Sequence, residues 1–316
     1  MRAYLQLFRI HTASLTIPAV VIGYLLATHT PSPLYIFLIS IYALLFHAFG
    51  FLWNNIFDYP YDKEDVYKQH FPLVSGAINY TQAKKIAISG TIVSFIYGFY
   101  LFHNNLITIL FLILSIFFGF MYNIFNKKYM HSVIYISLSF MFLSITPFTN
   151  FHTINHTILI YALFGFLTMV FQNGISGFIK DMHVNQINTL TYMGTYIYND
   201  ELHVSSLTMF YAYVIRFSIM LSGILLCITP AVLSMFGAIQ TMIIVLTFKL
   251  LQEGKYNRDH RLKLMSLIEV LNYYSLAIIM IDYTTVYWVA FLLLFPITYF
   301  VIMNKITWGT MIHPKV

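Results

Sequence analysis

The stretch from Trp53 to Ile78, WNNIFDYPYDKEDVYKQHFPLVSGAI, carries the densest acidic chemistry of the chain. Four of its eleven Asp and Glu residues (Asp58, Asp62, Glu64, Asp65) fall within eight positions. Asn54, Asp58 and Asp62 are spaced i, i+4, i+8, which on one helix places all three on one face. The stretch emerges from a hydrophobic run, so that face lies at a membrane boundary. Carboxylates there are costly unless they hold something positive, and oxygen donors suit a hard dication such as Mg²⁺. Asn54 and Asn55 fall inside the apolar run and need partners there. Against this stand Lys63 and Lys68, which fit an ordinary solvated loop. Pro60 also removes a donor and disfavours helix at Tyr59, which threatens the continuity of the face.

A second polar stretch, FQNGISGFIKDMHVNQIN, repeats the spacing with Asn173, Gly177, Asp181 and Asn185. Taken alone, Lys180, Asp181, Asn185 and Asn188 read as a helix C-terminus running into a polar loop. As a partner of the first stretch, it would face the acidic helix across one cavity. Between the two, YNIFNKK supplies Tyr122, Lys127 and Lys128. Two lysines at a helix end are what membrane topology asks for. Beside metal-bound carboxylates they would also clamp a diphosphate, the general way to stabilise a phosphate leaving group. Thirty Phe, 25 Tyr and three Trp make 18% of the chain aromatic. Packing against lipid accounts for most such residues, and a cavity that generates a carbocation would use aromatic faces and exclude water. The twelve histidines show no metal-ligand spacing, and His47 reads as a hydrogen-bonded core residue.

The elements that must position these groups follow from composition. Of 316 residues only 9% are charged and 59% are hydrophobic, with a mean hydropathy of +0.75, whereas a soluble domain is about 25% charged. The chain is therefore an integral membrane protein, all-α because open sheet edges cannot face lipid. Ten apolar runs are long enough to cross: roughly 11–28, 34–54, 84–103, 105–123, 131–149, 156–179, 206–228, 230–250, 264–281 and 284–303. No small-residue cleavage site follows Met1-Arg2, so the first run is expected to be a span. Sixteen of the seventeen Lys and Arg residues fall in alternate connections, all but Arg216. The positive-inside rule makes that side cytoplasmic and puts both termini there. The net charge of +6 is thus topological and implies no nucleic acid. The single Cys227 excludes a disulfide framework. Arg216, midway along an apolar run, reads as a structural arginine or, more sharply, as an anion ligand.

These pieces, in this order, resemble the UbiA superfamily of intramembrane prenyltransferases, from RAYLQLFRIHTASL to the end of the ninth span. The family's signature NDxxDxxxD followed by RPLxSGxIs is matched by NNIFDYPYD and FPLVSGAINYTQA. The tyrosine and basic loop after its fourth helix are matched by YNIFNKKYMHS, and its KDxxDxxxD in part by Lys180-Asp181. Asn55 and Phe71 depart from the first signature, and Asn185 and Asn188 stand where carboxylates are expected, which weakens a second metal position. The resemblance implies a single transmembrane prenyltransferase-like domain over residues 1–316. It would be a bundle of nine to ten helices around a central cavity, with 284–303 an extra C-terminal helix. It implies Mg²⁺ held by Asp58, Asp62 and Asp181, which are also the catalytic residues. Asn54, Lys68, Tyr122, Lys127, Lys128, Asn173, Lys180, Asn185 and Arg216 would bind substrate. A prenyl diphosphate would ionise on the cytoplasmic side of the cell membrane and alkylate a lipophilic acceptor, a quinone-precursor aromatic or a prenyl glycerol ether, that arrives from the lipid. A polytopic transporter would share the spans but would favour charges at the bilayer midplane. A degenerate isoprenoid binder or a cyclase would fit the missing carboxylates.

Overall fold

Helix-starting signals in the sequence are realised one after another in the computed structural model, which describes residues 1–28, 30–183 and 187–311. Ser32, Asn79, Asn155, Ser205, Thr229 and Asn257 each accept a hydrogen bond from a backbone N–H of the helix they open, and Pro33 and Pro230 occupy first-turn positions where no N–H is needed. The helices are α1 (Arg2–Leu7), α2 (Ala13–Leu25), α3 (Pro33–Asp62), α4 (Tyr80–Phe102), α5 (Leu106–Phe125), α6 (Val133–Thr149), α7 (His156–Phe171), α8 (Gly177–Asp181), α9 (Thr189–Tyr192), α10 (Ser206–Leu226), α11 (Pro230–Leu251), α12 (Arg258–Ile279) and α13 (Val286–Trp308). Among the described residues eight helical stretches are long and apolar enough to cross a bilayer, and two shorter apolar ones, Ile10–Leu25 and Val133–Thr149, bring the number to the ten expected. The last two spans, joined by only a few residues after Asp282, are separate helices.

The chain forms two compact units: residues 1–124, 143–153 and 286–316, and residues 125–142 and 154–285. In the first, α3 packs between α2 and α4, and α13 packs on α1, α2 and the short 3₁₀ turn Ile10–Thr12. The carbonyl of Ser144 passes so close to Gly23 that a Cβ there would collide with it, which is why α2 carries glycine at this crossing. α3 is 30 residues long, roughly 45 Å at 1.5 Å per residue, against about 30 Å of hydrocarbon. Its last turns therefore extend beyond the apolar layer, which lowers the cost of carrying Asp58 and Asp62.

In the second unit α7 packs on α10, and α12 on α11 and α8. Between α7 and α8 the backbone makes one π-helical turn over Gln172–Ser176, so His156–Asp181 is one helix with an extra residue in one turn. Outside the spans lies a small antiparallel sheet that the apolar pattern did not announce: β1 (Tyr196–Tyr198), β2 (Glu201–His203) and β3 (Gly254–Lys255), in that order. Its hairpin turns at Asn199 and Asp200, with φ of 49° and 60°, the positive-φ pair of a two-residue hairpin. β2 precedes α10 and β3 follows α11, so their pairing puts both ends of that helix pair on one side. At the other end the Asp282 carboxylate accepts hydrogen bonds from the N–H of Ile228 (2.7 Å) and of Thr229 (3.1 Å) and from the Thr229 hydroxyl (2.8 Å). Those bonds tie the α10–α11 turn to the end of α12.

Candidate functional site

The first acidic face is built as its spacing asks. α3 runs unbroken through Pro60 to Asp62. This proline lies in the last turn, where its missing N–H removes one helix bond and leaves no further turns to disrupt. Asn54, Asp58 and Asp62 are 8%, 6% and 3% exposed. Asp62 is paired with Lys68 at 2.8 Å, so the lysine assigned to substrate by the resemblance is held on a carboxylate of the acidic face. Asn54 keeps a buried amide nitrogen with no hydrogen-bond partner, an unsatisfied donor beside two carboxylates.

Asn55 is turned about 100° from that face and does a different job. Its amide donates to the carbonyl of Leu7 (2.7 Å) while its oxygen accepts from Arg9 Nη2 (3.2 Å). An aspartate could not make the first bond, so asparagine at 55 follows from how α3 grips the N-terminal segment. His47 is likewise held inside the unit, by the hydroxyls of Thr12 (3.0 Å) and Thr16 (2.9 Å). Tyr122 is half-buried near the end of α5, and the next residue, Asn123, donates to the carbonyl of Gly50 (3.3 Å). The fit to a hard cation rests on this donor set. Among the described residues no three His, Cys, Asp or Glu side chains converge as a metal site. Two carboxylates and an amide on one helix face are what Mg²⁺ needs when substrate phosphates and water supply its remaining ligands.

In the second unit Asp181 ends α8 between two cations, Lys180 at 3.1 Å and Arg258 at 3.5 Å. The Tyr256 hydroxyl donates to the carbonyls of Ile179 and Lys180 and so caps that helix end. Lys127 is half-buried in the left-handed conformation (φ 58°) and Lys128 is exposed. Asn173 sits in the π-turn and donates to its own Met169 carbonyl at 3.1 Å, so the extra residue breaks the regular four-residue spacing towards Asp181. Asn188 caps α9 by accepting from the N–H groups of Leu190 (2.9 Å) and Thr191 (3.0 Å). Asn185 lies outside the described residues.

Arg216 is the largest of the fully buried side chains, 1% exposed. Its Nη1 donates to Asn272 Oδ1 at 2.8 Å and its guanidinium lies 4.1 Å from the centre of the Phe171 ring, while Nε and Nη2 have no partner. Asn272 is fourteen residues beyond Arg258 on α12, about 21 Å along the axis. Arg258 pairs with Asp181, so Arg216 and Asp181 serve different depths of this unit. One turn before Asn272, Glu269 accepts from Gln172 at 2.9 Å. Glu269 went unremarked in the sequence, although a carboxylate inside an apolar run is itself a signal. Gln172 and Arg258 were hidden because only the π-turn and the α8–α12 packing give them partners.

Over residues 16–268 the chain matches the UbiA prenyltransferase family model. No curated protein matches it. Among solved structures, an apo UbiA homologue from Aeropyrum pernix K1 is similar with TM-score 0.67 and 12% identity, covering 86% of this chain and 98% of that one. A UbiA homologue from Archaeoglobus fulgidus bound to geranyl diphosphate (GPP) and Mg²⁺ gives 0.64 and 16%, covering 88% and 99%. A digeranylgeranylglyceryl phosphate synthase gives 0.62 and 17%, covering 88% and 96%. At these identities the likeness establishes the fold, and the family model establishes membership: the chain belongs to the UbiA prenyltransferase family.

Proposed function

We propose that the chain is an Mg²⁺-dependent intramembrane prenyltransferase that moves an isoprenoid group from a prenyl diphosphate to a lipophilic acceptor. The observation that carries the proposal is the buried face of Asn54, Asp58 and Asp62 at the end of α3, with Lys68 on Asp62 and a spare amide donor on Asn54. Asp58 and Asp62 would hold the metal, which screens the diphosphate charge and makes pyrophosphate a better leaving group. The Asn54 amide would donate to a phosphate oxygen. On the family resemblance Asp181 is assigned to the metal, Lys127, Lys128 and Lys180 to diphosphate oxygens, and Tyr122 and Asn173 to the substrate. The allylic C–O bond breaks, its electron pair leaves with pyrophosphate, and the acceptor's nucleophile closes on the cation and loses a proton. The family resemblance and the A. fulgidus homologue bound to GPP and Mg²⁺ support the assignment.

Because the first cluster brings two buried carboxylates with one paired lysine, against the single Asp181 held between Lys180 and Arg258, we assign it the dominant share of metal binding. Arg216, on α10, whose partner Asn272 lies far along α12 from the Arg258 that pairs with Asp181, is assigned to holding the bundle rather than to the phosphates. Charge alternation supports a cytoplasmic active site and cytoplasmic termini. The test is pyrophosphate release from C10 to C20 prenyl diphosphates in nanodiscs, with and without Mg²⁺. Asp58→Asn is expected to lower Mg²⁺-dependent release at least tenfold, and Asp181→Asn by less. Full turnover in folded Asp58→Asn would remove the metal assignment.

A further inference from the structure

The first and last helices of the chain pack together in the first unit. α13 ends at Gly309, whose φ of 81° is the left-handed turn that closes a helix. The carbonyls of a last turn need donors from elsewhere, and Thr307 receives two from α1. Arg2 Nε (2.8 Å) and Gln6 Nε2 (3.0 Å) both donate to it. Arg2 also sets a positive charge at the negative end of the α13 dipole. Two turns back, the Tyr299 hydroxyl donates to the carbonyl of Ile10 (3.1 Å). Trp308, at the end of this fastened helix, lies outside the family match over 16–268.

Its indole makes T-shaped contacts with two imidazoles, His11 at 6.0 Å between centroids and His70 at 5.9 Å. The two differ in kind. His11 is 0% exposed with neither ring nitrogen hydrogen-bonded, so it serves the indole as a packed wall. His70 is exposed and belongs to the loop that follows α3. That loop carries the lysine of the acidic face. The N–H of Lys68 donates to the Asp65 carbonyl (3.0 Å) and the N–H of Phe71 to the Lys68 carbonyl (2.9 Å), which makes one compact turn of residues 65–71. Lys68 then reaches Asp62 at 2.8 Å. The far side of the turn is anchored by Phe71, 8% exposed and in contact with the His70 ring at 5.0 Å. Most residues from Lys63 to His70 are exposed, so a ring brought against His70 bears on the least enclosed part of the loop. A continuous path of contacts therefore runs from the end of α13, through His70 and Lys68, to the carboxylate of Asp62.

We propose that Trp308 is a positioning residue for the acidic site: pressed on His70, it holds the turn so that Lys68 stays on Asp62 and the site is preorganised for an anionic, metal-bound ligand. Fixing a lysine side chain costs rotamer entropy, and a ligand that meets an ordered loop is spared the cost of ordering it. That the ligand is a prenyl diphosphate rests on the prenyltransferase assignment above. The hold of Trp308 on the loop does not, because amide exchange reads it with no substrate present.

The experiment uses the full chain in nanodiscs, with hydrogen exchange followed over residues 63–70 and Mg²⁺-dependent pyrophosphate release from geranyl diphosphate measured on the same samples. Trp308→Ala and His70→Ala are each expected to speed exchange in that segment about tenfold. Each should also raise the KM for geranyl diphosphate about fivefold with kcat nearly unchanged. His70 is exposed, so its removal leaves the fold intact and reads the contact from the loop side. Trp308→Phe, which keeps a ring against His70, is expected to restore both readouts. The double variant is expected to be no worse than either single one, because both remove the same contact. Trp288→Ala, in the first turn of α13, controls for damage to the helix and should change neither readout. Unchanged exchange in both single variants, faster exchange with an unchanged KM, or a fall in kcat alone would each overturn the proposal. Exchange that responds to Trp308→Ala, in a protein whose wild type neither binds nor turns over geranyl diphosphate with Mg²⁺, would instead remove the prenyltransferase assignment and leave the clamp.

Discussion

Asn55 shows how one amide can decide the meaning of a motif. At the position where the family signature has aspartate, the side chain must both donate to Leu7 and accept from Arg9, which an amide does and an ionised carboxylate cannot. Asn55→Asp keeps the bond to Arg9 but sets a carboxylate oxygen against the Leu7 carbonyl. We expect a loss of about 1–3 kcal/mol, visible as a lower unfolding midpoint in detergent; an unchanged midpoint would mean that the Leu7 bond contributes nothing. The acidic face of α3 was legible because helix geometry alone sets its spacing. The partners of Asn55, and the orphaned nitrogens of His11, were not, since they depend on which segment folds back onto α3.

The π-turn between α7 and α8 acts at the level of a whole element. It adds one residue to a turn and so sets the angle at which α8 presents Lys180 and Asp181 to Arg258. Deleting Gly174 would restore α-helical phase and rotate α8 by about 100° relative to α7. The expected result is loss of the Asp181–Arg258 pair, and of the prenyl transfer proposed above, with circular dichroism unchanged. Retained turnover would show that the phase of α8 is immaterial. Span order and the ten apolar stretches could be read from the length of the apolar runs and the alternation of Lys and Arg between their connections. The π-turn could not, because its hydrogen bonds differ by one residue while its composition is ordinary. The YIYNDELH hairpin carried a weak signal, two alternating triplets around an Asn-Asp turn, overshadowed by the apolar runs beside it.

Across the whole molecule, large apolar side chains face outward on span after span, among them Ile92, Ile96, Phe99, Phe210, Phe217 and Leu294. That is the surface a bilayer requires, and the protein is an integral multi-pass membrane protein. Its only thiol, Cys227, lies just past α10 and donates to the carbonyl of Gly223 at 3.3 Å. Burial, with Asp282 nearby, pushes that thiol up to about 11. A raised thiol is a poor nucleophile at neutral pH. Wild type is therefore expected to resist maleimide, so single cysteines can report sidedness. With an impermeant maleimide, Glu201→Cys should label from the cytoplasmic side and Thr153→Cys from the opposite one. Labelling of both from one side would contradict the charge-derived topology.

The small sheet has a consequence for how the chain is made. β2 and β3 are separated by α10 and α11, so about fifty residues must be translated between the synthesis of His203 and that of Gly254. At ~5–20 residues per second that is some 3–10 s during which the outer edge of the hairpin has no partner. β3 can reach that edge only after α10 and α11 have both been threaded through the bilayer and the nascent chain has returned. Closure of the third strand therefore marks, during biogenesis, that this pair of spans has been inserted in full.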